Sequence, residues 1–120
     1  MIVRVFVLIM FFIIQITILD AKINYDVVTM KKLMSASLLK NTCESEREIN
    51  QGVCIGYLMG IADSLSSSEG LFGIKACMPD GVTVTILKVL TLQEIKNHQE
   101  WLELAAGPIV AHAFAIKYPC

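Results

Sequence analysis

Small residues recur every four positions as Gly52, Gly56, Gly60 and Ser64, inside and around the run Cys54-Ile55-Gly56-Tyr57-Leu58-Met59-Gly60-Ile61-Ala62-Asp63. That period keeps them near one side of a helix and lets a second backbone come close. Each interior glycine costs about 1 kcal/mol relative to alanine, so three in line point to a contact that outweighs the penalty. The contact is either packing within the domain or the two-fold face of a homodimer. A membrane-type glycine dimer motif is the wrong reading, because the segment is flanked by Glu48 and Asp63 and is too short to span a bilayer. On the same helix Cys54, Leu58, Ile61 and Leu65 form a separate apolar line.

The periodic pattern extends to the rest of the chain and predicts an all-α fold, a small disulfide-stabilised bundle of four or five helices. Thr29 can cap a helix from about Met30 to Asn41, with Met30, Leu33, Met34 and Leu38 on one face. Acidic residues at 44, 46 and 48 suit the start of the central helix, which runs to about Leu65. Ser66-Ser67-Ser68-Glu69-Gly70 ends it, and Pro79-Asp80-Gly81 marks a turn because proline presets its own φ. Thr83 can cap a third helix from about Val84 to Asn97, apolar at 84, 87, 90 and 95. The last segment, from Glu100 to Tyr118, is interrupted at Gly107-Pro108, where proline kinks the helix or starts a new one. Residues 22–120 read as one domain with no repeat and no low-complexity tract.

Residues 1–21 have the layout of a secretory signal peptide: a basic start ending at Arg4, an apolar run from Val5 to Leu19 broken only by Gln15 and Thr17, and small Ala21 as the cleavage position. An uncleaved anchor is the alternative; otherwise contact with a membrane is expected only through the leader before its cleavage. Of ten Lys or Arg and eleven Asp or Glu, the leader holds Arg4 and Asp20, so the mature part has nine and ten and is close to neutral. Its only adjacent basic pair is Lys31-Lys32, which gives no electrostatic footprint for nucleic acid. The four cysteines all fall in the mature part, and an even number in a short exported chain argues for two disulfides.

Cysteine spacings of 11, 23 and 43 residues contain no C-x-x-C pair, so no metal site is expected, nor any cofactor. Spacing leaves all three disulfide pairings open. Cys43 with Cys120 and Cys54 with Cys77 is the preferred one, because the first would tie the last residue back to the end of the first helix. No catalytic group is assigned. His98 falls at a helix C-terminus, where it can meet free carbonyls, and His112 on the packed or half-exposed side of the last helix. Ser64, Ser66, Ser67 and Ser68 lack the G-x-S-x-G elbow. Asp63 and Asp80 stand out among the carboxylates, but an acid pair for hydrolysis needs a second carboxylate within reach, which spacing does not supply. For partner recognition the candidates are Leu71, Phe72 and Ile74, flanked by glycines in the loop from Ser66 to Ala76; such residues either anchor a partner or cover the core.

Several of these residues recur together in one order. Cys54-x-Gly56-Tyr57-x-x-Gly60-x-x-Asp63, Cys77-x-Pro79-x-Gly81-Val82-Thr83, His98 and Tyr118-Pro119-Cys120, with Leu38-Leu39 before Cys43, resemble the Rap/Tai-type immunity proteins of bacterial type VI secretion. The chain departs from that pattern at Gln99, where proline is usual, and at Gln93-Glu94, where Lys-Tyr is common. The resemblance implies a periplasmic, HdeA-like helical protein, often a homodimer, that binds and blocks a cognate peptidoglycan amidase without being an enzyme. The alternative is an exported acid-stress chaperone of the HdeA kind, or an exported helical binding protein. With only two histidines, an acid switch of that kind would draw on carboxylates.

Overall fold

A computed structural model describes residues 33–120; the proposed leader, Ala21, Thr29 and Met30 lie outside the described residues. Four α-helices follow one another: α1 (Ala36–Glu44), α2 (Glu48–Leu65), α3 (Val84–Asn97) and α4 (Ala106–Lys117), with a 3-10 turn at Gln99–Trp101. No strand occurs among the described residues, only two isolated bridges. The expected all-α bundle is what forms.

The first helix starts later than its apolar period suggested. Leu33 to Ser35 are non-helical, and the Ser35 hydroxyl caps α1 by accepting from the Leu38 N–H at 3.2 Å. The reason is long-range: the segment entering α1 pairs with the segment entering α4, through Ala36 N–H to the Leu104 carbonyl and Ala106 N–H to the Met34 carbonyl, both 2.9 Å. Those bonds hold Ser35 extended and Met34 outside the helix. The face that buries is therefore Ala36, Leu39 and Cys43, while Leu33 and Leu38 of the expected face are exposed.

By contrast α3 spans the expected residues, and the Thr83 hydroxyl accepts from the Ile86 N–H at 3.3 Å. Pro108 sits in the first turn of α4, where a missing N–H costs no helical bond. Phe114 is the largest fully buried side chain and lies in a cluster with Leu39, Leu58, Leu65 and Val110. Removing such a side chain from water contributes about 2–3 kcal/mol. A polar residue also lies in the core: Thr91 is fully buried, and its hydroxyl donates to the Leu87 carbonyl one turn earlier at 2.9 Å.

The disulfides correct the preferred pairing: Cys43 joins Cys54, and Cys77 joins Cys120. The three-residue connection 45–47 folds α1 and α2 into a hairpin, and this opposes the end of α1 to the second turn of α2. Cys43 and Cys54 meet there with Cα atoms 5.0 Å apart, so neither is left for Cys120 or Cys77. Gln51 completes the corner. Its amide donates to the Cys43 carbonyl at 3.2 Å and to the Ser45 carbonyl, and its oxygen accepts from Lys88 Nζ on α3 at 3.1 Å. At the other end the Cys77 N–H donates to the Tyr118 carbonyl at 2.9 Å, which aligns Cys77 with the C-terminal cysteine.

Candidate partner-binding hairpin and groove

Beyond α2 the chain folds into a small hairpin. Ser66 and Ser67 donate their hydroxyls to the Ala62 and Ser64 carbonyls at 3.0 and 2.8 Å, satisfying the free end of the helix. Leu71 and Ile74 then exchange two backbone bonds of 2.9 and 2.8 Å. Phe72 and Gly73 form the tip, both at positive φ, 54° and 72°, as a two-residue type I′ turn requires. Gly70 is obligatory: at φ 71°, a Cβ would lie 2.3 Å from the Ile74 carbonyl oxygen.

The three loop residues singled out from the sequence separate here. Leu71 and Ile74 are half-buried and pack on the core, while Phe72 is 58% exposed. A phenylalanine in the left-handed region costs about 1–2 kcal/mol, which a glycine or asparagine would largely avoid. One edge of its ring rests on α4: a Cβ on Gly107 would sit 3.0 Å from two ring carbons and 3.5 Å from the Tyr57 hydroxyl. Partial burial of Tyr57 pushes its phenol above the ordinary value.

Among the described residues nothing packs on the glycines of the small-residue ridge. A Cβ built on Gly52, Gly56 or Gly60 meets nothing within 4 Å, and the Ser64 hydroxyl turns back to the Gly60 carbonyl at 2.8 Å. Beside the ridge Ile49, Val53, Ile55 and Met59 are exposed. The other line of α2 behaves as read, with Cys54, Leu58 and Leu65 buried and Ile61 half-buried.

Where α2 ends beside the start of α3, an open groove of about 310 Å³ lies between the helices and the Pro79-Asp80-Gly81 turn. Met59, Met78, Val84 and Leu87 supply its apolar lining, and Asp63 and Asp80 both line it as well. Both carboxylates are exposed, and among the described residues neither pairs with another group. The sequence identified each of them but not that they line one groove, which depends on how the turn returns to α2.

The two histidines converge at the opposite end of α3. His112 Nδ1 lies 2.8 Å from Glu94 Oε1 and His98 Nε2 3.6 Å from the same oxygen. His98 stacks on Trp101 with ring centroids 3.6 Å apart, and its Nδ1 is 3.1 Å from Glu100. Glu100 titrates below the ordinary value, held first by a backbone N–H and then by His98. The His98 ring thus meets carboxylates, whereas the sequence suggested the helix-end carbonyls. Among the described residues no group of three or more His, Cys, Asp or Glu is arranged to hold a metal, and no helix is long and apolar enough to cross a membrane.

Against known proteins, the family model for Rap1a immunity proteins matches residues 31–120. No curated protein and no solved structure matches the chain.

Proposed function

Because this chain belongs to the Rap1a immunity protein family, we propose that it is a non-enzymatic periplasmic inhibitor. It binds a cognate type VI secretion effector, a peptidoglycan amidase, and blocks it with the hairpin from Ser66 to Ala76. The observation that carries the site assignment is Phe72: a large apolar side chain, more than half exposed, held at a hairpin tip in a backbone conformation that disfavours it. Strain kept at an exposed aromatic makes sense when the ring is needed in that place. Exposed aromatics also supply much of the binding energy in protein interfaces. Leu71 and Ile74 act from below, fixing the turn against the core rather than meeting the partner.

Two further features support the reading. Two disulfides suit an oxidising compartment such as the periplasm, which the leader at 1–21 would reach. The ridge of Gly52, Gly56, Gly60 and Ser64 forms the homodimer contact, since the space above its glycines is open and its flanks are apolar.

The test is protection of cells. A strain that exports the cognate amidase effector to its periplasm should survive when it carries the wild-type chain and lyse when it carries Phe72→Asp at the same expression level. Survival with both removes the hairpin tip from the interface.

A further inference from the structure

The groove beside Asp63 and Asp80 has a lining that selects its occupant. Its apolar part is made of two flexible thioethers, Met59 and Met78, with Val84 and Leu87, and Met59 is 46% exposed. Methionine adapts its shape to an incoming chain. Among the described residues no lysine, arginine or histidine lines the groove, and its two carboxylates pair with no described group. The one opposing field comes from the first turn of α3, which begins at Val84. A helix N-terminus amounts to roughly half a positive charge, against two full negative ones. The net field favours a cation, and the apolar wall favours a long aliphatic stem beneath it.

Resting on the immunity reading above, we propose that this groove receives an arginine or lysine of the effector, flanked by apolar residues. The stem lies along Met59, Met78 and Leu87, and the charged head meets Asp63 and Asp80. This gives the inhibitor a second anchor, on the far end of α2 from the Cys43–Cys54 hairpin, and one that reads charge where Phe72 reads shape.

The experiment has two arms. In the first, the Met59 and Met78 methyl resonances of the full mature chain are followed during titration with the capped tripeptide Leu-Arg-Leu, and again with its neutral citrulline analogue. Both methyls should shift saturably with the arginine peptide, weakly with citrulline, and weakly in the double variant Asp63→Asn and Asp80→Asn. Equal shifts with both peptides, or none, overturn the proposal. In the second arm, the same double variant is tested against the cognate amidase effector. It should bind about tenfold more weakly and lose part of its salt dependence, since two charges leave the interface. Unweakened binding overturns the groove alone. If the wild-type chain binds no amidase, the immunity reading fails and the assignment of the groove to that partner fails with it.

Discussion

Phe72 and Gly107 illustrate how a single residue pair can set the position of the side chain proposed to meet the partner. Gly107 lies in the first turn of α4, where a methyl group would stand 3.0 Å from the Phe72 ring. Alanine suits a helix better than glycine by about 1 kcal/mol, and the ring is free to move into solvent. Gly107→Ala should therefore leave the thermal unfolding midpoint unchanged or slightly raised while weakening amidase inhibition, because the ring is displaced from its seat. Unchanged inhibition would show that the seat does not matter. The sequence identified Phe72 through its glycine neighbours, but nothing local pointed to Gly107. The two are 35 positions apart and meet only when the hairpin folds back on α4.

At the scale of elements, the two disulfides differ in burial and in what they close. Cys43 and Cys54 are fully buried and close 11 residues; Cys77 and Cys120 are exposed and close 43. Chain entropy assigns them about 3 and about 4 kcal/mol respectively. Thiolate attack needs access, so brief exposure to dithiothreitol followed by alkylation and mass spectrometry should find Cys77 and Cys120 labelled first. Simultaneous labelling would contradict the burial difference. The α2 ridge offers a second check. Gly56→Ala should raise the free energy of unfolding by about 1 kcal/mol at low protein concentration. Gly56→Gln should lower self-association in sedimentation, and an unaltered association constant would move the dimer contact elsewhere. Legibility followed locality here. Helix α3 was readable to its ends because Thr83 and the turn before it are local signals. Helix α1 was misplaced by an apolar period from Met30 that the backbone pairing with Leu104 and Ala106 overrides. The cysteine pairing was unreadable for the same reason, since it follows from a helical hairpin and not from spacing.

For the molecule as a whole, the described residues form one scaffold in which α2 is the axis: one side packs against the core, one presents the glycine ridge, and its C-terminal end leads into both the hairpin and the groove. Four helices and two disulfides hold that arrangement, so the surface offered to a partner is formed before binding. The sequence conveyed the all-α class and the immunity resemblance, because patterns of period and ordered motifs survive without coordinates. It did not convey which loop residue faces outward, since Leu71, Phe72 and Ile74 are alike in composition and differ only in where the turn directs them. Everything proposed for the hairpin turns on Phe72 carrying the inhibition of a cell-wall amidase. The most direct measurement is the inhibition constant of the purified mature chain against its cognate amidase effector, on peptidoglycan, for wild type and Phe72→Asp. Tight inhibition by wild type and a loss of about 30-fold or more in the variant are expected, as for an interface anchor worth about 2 kcal/mol. Equal inhibition by the two proteins would contradict that role for Phe72.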